Sequence, residues 1–316
     1  MSLRTGVSVP VTRVAFDPRF DRLVPDGTAI TPHADGAIWA EGPVYIPDED
    51  ALLWSDVRSN AVRRWSDADG DSVFLHPSDF ANGHTLDHDG TILACEHGTR
   101  RVARYERDGS RTTIVDRFAG GRFNSPNDIV VASDGAIWFT DPPYGILDDS
   151  EGYKADSEQE GCFVYRIDRG SGEVTVASRE LIHPNGLAFS PDESVIYVSD
   201  TSIARVDGGY HHMLAFDVVE RRRLERPRVF KVMEPGVSDG FRIDIDGNVW
   251  TSAGDGIHVL DASGAELGRI LLPEQASNCQ FGGRDGQRLF ITATSTLWSL
   301  PVGIRGAVTP WVDRAS

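Results

Sequence analysis

The chain contains few cysteines and no long apolar run. Only three of its 316 residues are cysteine, and the wide spacing of Cys95, Cys162 and Cys279 suits neither a disulfide framework nor a zinc site. We therefore expect free thiols and a cytoplasmic location. No apolar stretch approaches the roughly 18 residues of a transmembrane helix, and the N-terminal residues lack the apolar run of a secretory signal. No membrane partner is expected.

Basic residues and helical periodicity are also scarce. Lys and Arg number 31 against 48 Asp and Glu, so the net charge is −17. Such acidity would repel phosphate backbones, which argues against a nucleic-acid partner. It suits a cation site, although solubility explains it equally well. The near absence of a 3.6-residue apolar period gives an α/β fold little support.

The sequence does contain a sixfold repeat. In each copy a polar residue is followed seven positions later by an Asp in a tight turn, and then by an apolar strand. The copies are EGPVYIPDEDALLWSD from Glu41, NGHTLDHDGTILACE from Asn82, NDIVVASDGAIWFTD from Asn127, NGLAFSPDESVIYVSD from Asn185, DGFRIDIDGNVWTSA from Asp239 and NCQFGGRDGQRLFITA from Asn278. Strands bounded by such turns are typical of antiparallel hairpins. A second hairpin is predicted within residues 100–116, 161–178 and 256–272.

The spacing of the copies predicts the architecture. Successive copies begin 41, 45, 58, 54 and 39 residues apart, which is typical of four-stranded propeller blades. We predict an all-β fold, a single six-bladed β-propeller domain over residues 1–316 with four-stranded antiparallel blades. Strands from residues 7–16 and 297–312 are expected to close the ring. The two long intervals contain insertions, 142–160 and 201–212, expected as loops at one rim. The role of the acidic 142–160 loop is left open.

The repeated polar position predicts a metal site. Innermost propeller strands run beside the central channel, so residues at their starts should converge at one mouth. They are Glu41, Asn82, Asn127, Asn185, Asp239 and Asn278. Oxygen-only donors select a hard cation, Ca²⁺ first and Mg²⁺ or Mn²⁺ behind it. However, Asn-Gly and Asp-Gly pairs are common in turns of any β protein.

A second set of acids ends the same segments, at Asp56, Glu96, Asp141 and Asp200. Because each hairpin folds back, these acids should lie toward the same mouth. They are consistent with carboxylates that support the metal ligands, with acceptors for substrate hydroxyls, or with solvated strand ends. By contrast, the GVSDG motif around Ser238 precedes a strand rather than a helix, so it is not the nucleophile elbow of a serine hydrolase.

Several motifs resemble the gluconolactonase family, which includes the regucalcin (senescence marker protein) lactonases. They are AEGPVY, ANGHTLDHDG, CEHGTRRVARYERDG, RFNSPNDIVVASDGAIWFTDPPYG, HPNGLAFSPDES and SDGFRIDIDGNVW. CEHGTRR and NSPNDIVV with WFTDPPYG are similar to the bacterial gluconolactonase branch. The resemblance spans about Glu41 to Gly283 and implies a six-bladed propeller that binds one divalent metal, usually Ca²⁺, with Mg²⁺, Mn²⁺ or Zn²⁺ as alternatives.

The resemblance also implies roles for individual residues. It assigns the metal to Glu41, Asn127, Asn185 and Asp239. The family's Arg-Phe-Asn segment, a source of substrate contacts, matches residues 122–124 and so assigns Arg122 and Asn124. The substrate-contacting Glu that regucalcin-type enzymes carry beyond the third-blade strand is replaced here by PPYG, so that contact is not carried over.

The resulting hypothesis is a metal-dependent hydrolase that opens aldono-1,4- or 1,5-lactones, with a small sugar lactone as its substrate. Asp239 is the expected general base, with direct nucleophilic attack as an alternative. Asn82, His84 and Tyr144 are further candidates for substrate contacts. Two competing interpretations stay open: a diisopropylfluorophosphatase-like phosphotriesterase and a calcium-binding propeller without enzymatic activity. The preferred lactone, the metal used and the oligomeric state are not determined by the sequence.

Overall fold

The computed structural model describes residues 4–307, and almost all of its regular structure is β. The strands are β1 (Val9–Pro10), β2 (Thr12–Ala15), β3 (Ala29–Ala34), β4 (Ala40–Ile46), β5 (Ala51–Asp56), β6 (Ala61–Ser66), β7 (Gly70–Leu75), β8 (Ala81–Leu86), β9 (Ile92–Glu96), β10 (Arg101–Tyr105), β11 (Arg111–Val115), β12 (Arg117–Phe118), β13 (Gly121–Arg122), β14 (Ile129–Val131), β15 (Ile137–Thr140), β16 (Val164–Ile167), β17 (Val174–Ser178), β18 (Pro184–Phe189), β19 (Val195–Asp200), β20 (His212–Val219), β21 (Arg223–Val232), β22 (Phe241–Ile243), β23 (Val249–Ala253), β24 (Gly256–Leu260), β25 (Glu266–Leu271), β26 (Ala276–Gly282), β27 (Arg288–Ala293) and β28 (Thr296–Pro301). Single helical turns occur at α1 (Phe20–Leu23), α2 (Tyr144–Leu147) and the 3₁₀ segments Pro47–Glu49 and Ser202–Ala204. None of the helices within residues 4–307 is long and apolar enough to cross a bilayer.

Most of the strands form six antiparallel blades, which confirms the predicted fold class, and β12 and β13 form a separate two-stranded sheet. From the innermost strand outward, the blades are β4-β5-β6-β7, β8-β9-β10-β11, β14-β15-β16-β17, β18-β19-β20-β21, β22-β23-β24-β25 and β26-β27-β28-β3. The innermost strand of each blade contacts that of the next, and β26 contacts β4, so the ring is closed. All three predicted second hairpins are present, as β10-β11, β16-β17 and β24-β25. The single-domain assignment over residues 1–316 stays a prediction.

The prediction of the closing strand was wrong in its position. The strand that completes blade 6 is β3, which pairs antiparallel with β28. The predicted segment, residues 7–16, instead contains β1 and β2, which add fifth strands to the outer edges of blades 6 and 5. The alternate residues Ile30, Pro32 and Ala34 of β3 are buried, whereas β1 and β2 are almost wholly exposed. In the C-terminal segment 297–312, β28 is the third strand of blade 6, and residues 308–312 lie outside the described residues.

The core lies in the gaps between neighbouring blades. Strands second from the axis, such as β5, are buried along their whole length because both of their faces pack against a blade. This explains why they are continuous apolar runs rather than alternating patterns. Trp54, Trp138 and Trp250 occupy these strands and are almost completely inaccessible to solvent. The packed blades hold the starts of the six innermost strands close together at one end of the channel.

Candidate active site

A cavity of about 210 Å³ opens where the innermost strands begin, and every blade contributes to its wall. Its lining consists of Trp39, Glu41, Arg58, Asn82, Asn127, Tyr144, Glu151, Asn185, Thr201, Ala204, Arg205, Val237, Asp239 and Gln275. The four residues proposed as metal ligands are all in this set: Glu41, Asn127, Asn185 and Asp239. They come from four blades and are separated by up to 198 residues (239 − 41) in the sequence. Their convergence is therefore a property of the closed ring.

The glycines that follow the repeated polar residues allow this convergence. The Gly83 N–H donates to the carbonyl oxygen of Asn127 at 2.9 Å. A Cβ on Gly42 would lie 1.8 Å from the carbonyl oxygen of Asn82, which no side chain tolerates. These glycines therefore let adjacent innermost strands touch at the axis. They contribute close backbone contacts and do not form the turns that Asn-Gly pairs usually indicate.

The side-chain amides of the repeated position are linked in a chain around the axis. Asn82 Nδ2 donates to Asn127 Oδ1 at 2.7 Å, and Asn127 Nδ2 donates to Asn185 Oδ1 at 2.7 Å. Asn185 Nδ2 in turn donates to Thr201 Oγ1 at 3.1 Å, and that hydroxyl is hydrogen-bonded to Tyr144 Oη. Four buried polar side chains and the half-buried Tyr144 are thus held in one network, which fixes where their oxygens lie.

The surroundings of Glu41 and Asp239 disfavour the charged forms of both carboxylates. Glu41 Oε2 accepts from the Gly42 N–H at 2.7 Å and from Asn278 Nδ2 at 3.2 Å. Glu41 Oε1 is buried and has no hydrogen-bond partner among residues 4–307. Burial raises the pKa of Glu41 to about 7. Burial, followed by the charge of Glu41, raises the pKa of Asp239 well above its ordinary value. A cation shared by these carboxylates would remove both penalties.

The chemistry of the donor set fits a hard ion. Within residues 4–307, no cluster of three or more His, Cys, Asp or Glu side chains could hold a metal. A metal held by Glu41 and Asp239 would therefore need the amide oxygens of Asn127 and Asn185, and such an all-oxygen set favours Ca²⁺. This fit supports the proposed ligands, whose role stays a prediction.

The second set of acids supports the backbone that leads into the site. Asp56, Asp141 and Asp200 are buried, so they are not solvated strand ends. Each accepts backbone N–H bonds from the segment just before the innermost strand of its own blade: Ile38 and Trp39 to Asp56 (3.0 and 3.1 Å), Asn124 and Ser125 to Asp141 (2.8 Å each), and Ile182 to Asp200 (2.7 Å). Glu96 differs, because it binds Arg101 and Arg111. Three of the four acids thus position the segments from which candidate ligands project.

The predicted substrate contacts are divided between two places. Asn82 and Tyr144 line the cavity, whereas Arg122, Asn124 and His84 do not. The latter three bind backbone carbonyls: Arg122 Nη2 donates to Thr99 O (2.6 Å), Asn124 Nδ2 donates to Gly161 O (3.0 Å), and His84 Nδ1 lies 2.9 Å from Gly42 O. Their assignment to the substrate stays a prediction that this arrangement does not itself support.

Several lining residues were missed by sequence reasoning. Four of them lie within two residues of a predicted polar position: Trp39, Arg58, Thr201 and Val237. The residues that flank the two repeated polar positions could therefore have been predicted to line the cavity. Glu151, Ala204 and Arg205 come from the two insertions, which do lie at the cavity as expected of rim loops. Nothing in the repeat pattern singled out these three residues.

Comparison with known proteins identifies the family of this chain. Residues 39–295 match the family model described as "SMP-30/Gluconolactonase/LRE-like region". The chain is 35% identical over 298 residues to a gluconolactonase of Zymomonas mobilis (88% of this chain, 83% of that protein) and 30% identical over 260 residues to a pentonolactonase of Haloferax volcanii (80% of each). The structure of a gluconolactonase from Xanthomonas campestris superposes with a TM-score of 0.87 at 37% identity, covering 95% of this chain and 99% of that one. The chain belongs to the SMP-30/gluconolactonase/LRE-like family.

Proposed function

We propose that this protein is a lactonase that opens the ring ester of aldonolactones and releases the aldonic acid. The observation that carries the proposal is the meeting of Glu41, Asn127, Asn185 and Asp239, from four blades, at one cavity. The names of its relatives support the reaction class, because a gluconolactonase and a pentonolactonase are among the proteins that it matches over most of their length. They also favour a lactone over a phosphotriester.

The same four residues would hold one divalent cation, and Ca²⁺ suits their oxygen donors best. When bound, such a cation polarises the ester carbonyl and stabilises the negative charge that develops on its oxygen. The strongest structural support for a cation is Glu41 Oε1, which has no hydrogen-bond partner in the described part of the chain. Glu41 would chiefly bind the ion, because its other oxygen is already occupied by two donors.

Asp239 is the residue that would transfer the proton from the attacking water to the leaving group. Its backbone N–H donates to Ser252 Oγ at 2.9 Å, and its carbonyl accepts from the Gly186 N–H at 3.0 Å, so the main chain is fixed on both sides. As general base, its carboxylate takes a proton from the attacking water as the new C–O bond forms. The ring C–O bond then breaks, and the proton passes to the leaving alkoxide. Direct attack by Asp239 on the carbonyl remains the alternative route.

A lactone panel assayed by proton release tests the proposal. Protein treated with a chelator would be given Ca²⁺, Mg²⁺, Mn²⁺ or Zn²⁺ and then glucono-, galactono-, xylono- or arabinonolactone, with diisopropyl fluorophosphate as a separate arm. We expect hydrolysis of at least one aldonolactone and no comparable turnover of the phosphorus ester. A folded, metal-supplied protein that hydrolyses no lactone would overturn the proposal. Full activity of the metal-free protein would refute only the role of the cation and would leave the proposed lactonase function standing.

A further inference from the structure

Glu151 on the 142–160 insertion presents one fixed and one free carboxylate oxygen at the cavity. Arg58 Nε and Nη2 lie 2.9 and 2.7 Å from the same oxygen, Glu151 Oε1. The other oxygen, Oε2, accepts no hydrogen bond from any residue in the described range 4–307 and is not sealed from solvent. Both side chains line the cavity. The pair therefore leaves an acceptor available to whatever fills that space.

The backbone around Glu151 is held on several sides. His97 Nδ1 lies 3.0 Å from the Glu151 carbonyl oxygen, which ties the insertion to blade 2. Gly152 packs so closely on Gly145 that a Cβ would lie 2.1 Å from the Gly145 carbonyl oxygen. The Arg58 guanidinium also lies over the Trp39 ring, 5.4 Å from its centroid. The free oxygen is thus positioned before any ligand arrives, which lowers the entropic cost of a bond to it.

We propose that Glu151 determines substrate specificity by accepting a hydrogen bond from a hydroxyl of the bound lactone through Oε2, while Arg58 positions its carboxylate. This inference rests on the proposed lactonase function and names its substrate class: ring esters that carry hydroxyls, as opposed to alkyl lactones. A carboxylate is an acceptor only and a hydroxyl can donate, so the two are complementary. A lactone without hydroxyls cannot donate this hydrogen bond, so it gains no affinity from Glu151.

The test compares two six-membered lactones on the metal-supplied protein: glucono-1,5-lactone and δ-valerolactone, which has the same ring without hydroxyls. For Glu151→Gln we expect kcat/KM on the gluconolactone to fall about 10- to 100-fold, mainly through KM, as for the loss of a charged hydrogen bond. Turnover of δ-valerolactone should not change. Arg58→Gln should give a smaller loss with the same selectivity, because it frees Glu151 to move. Glu160→Gln, an exposed change on the same loop, is the matched control and should behave as wild type.

A second measurement does not depend on turnover. 1,5-Anhydroglucitol keeps the ring hydroxyls but has no ester, and its binding can be followed by ligand-observed NMR. We expect about tenfold weaker binding to Glu151→Gln and no change for Glu160→Gln. Equal losses on both lactones would show that Glu151 only supports the loop. Unchanged kinetics together with unchanged binding would show that Glu151 does not contact the ligand. Either result overturns the inference. A wild-type protein inactive on every lactone would instead refute the proposed function.

Discussion

Gly186 packs directly against the backbone of Asp239 in the neighbouring blade. Its N–H donates to the Asp239 carbonyl oxygen at 3.0 Å, and a Cβ on Gly186 would lie 2.2 Å from that oxygen. Both residues belong to the repeated sequence that lines the channel, so this contact couples the position of a candidate catalytic carboxylate to the packing of two blades.

Gly186→Ala should therefore damage both stability and the site. The added methyl group must push blades 4 and 5 apart, so we expect about 2–3 kcal/mol lower unfolding free energy and weaker metal binding. Urea denaturation and calcium titration measure the two effects. Gly170→Ala is the control, since the nearest described atom that a Cβ there would meet is Asp168 Oδ1, at 3.5 Å. Equal behaviour of the two variants would contradict the proposed contact.

Asp239→Asn should leave the fold intact and abolish most activity. The amide cannot accept a proton from water, and the loss of a general base typically costs about 10²- to 10⁴-fold in rate. Initial rates on the preferred lactone, with circular dichroism as a check of folding, give the answer. Asp246→Asn, an exposed turn acid seven residues later in the same repeat, should keep wild-type rates. Near-normal rates for Asp239→Asn would assign the proton transfer to another group.

Metal removal should be detectable in stability as well as in rate. A ligand that binds only the folded state at a hundred times its Kd adds about 2.7 kcal/mol, so Ca²⁺ should raise the melting temperature of chelator-treated protein. Glu41→Gln should greatly reduce this rise, because it removes one of two anionic donors. Glu49→Gln, at an exposed position in blade 1, should retain it. A rise of equal size in Glu41→Gln would place the stabilising ion elsewhere.

His33 should make the folding stability of the protein fall in mild acid. Burial, aided by the charge of Arg288, lowers the pKa of His33 to about 4 from 6.5, and His33 Nε2 lies 2.7 Å from Ser299 Oγ. The unfolded chain binds a proton at this histidine more readily than the folded chain does. The contribution of neutral His33 to the free energy of unfolding is therefore complete above pH 6.5 and declines as the pH falls toward 4.

We expect acidification to lower the free energy of unfolding by about 1–2 kcal/mol through His33. This is less than the full pKa shift would give, because the ring is only partly buried. Urea unfolding at pH 7.5 and 4.5 should show a smaller acid-induced loss for His33→Gln than for wild type. His76→Gln, at an exposed position, should follow wild type. An identical pH dependence in all three proteins would exclude His33 as a contributor.

The seven-residue spacing between polar residue and turn acid was sufficient to predict the blades and the convergence of the six innermost strands. It failed for the closing strand, because β3 and the segment 7–16 both contain short apolar stretches and only packing against blade 6 distinguishes them. It also failed for Glu151, which lies in an insertion outside the repeat. Its place at the cavity depends on the bond to Arg58, 93 residues away, and on the contact of its carbonyl with His97.

The sequence by itself determined the six blades and the residue type at each strand start, because strand periodicity and turn chemistry are local and repeat in every copy. Only the tertiary structure decided which residues beyond that repeat face the cavity, how the amides of Asn82, Asn127 and Asn185 bind one another, and which oxygen of Glu41 stays unpartnered. These features arise from contacts between blades far apart in the chain, and no local pattern specifies such contacts.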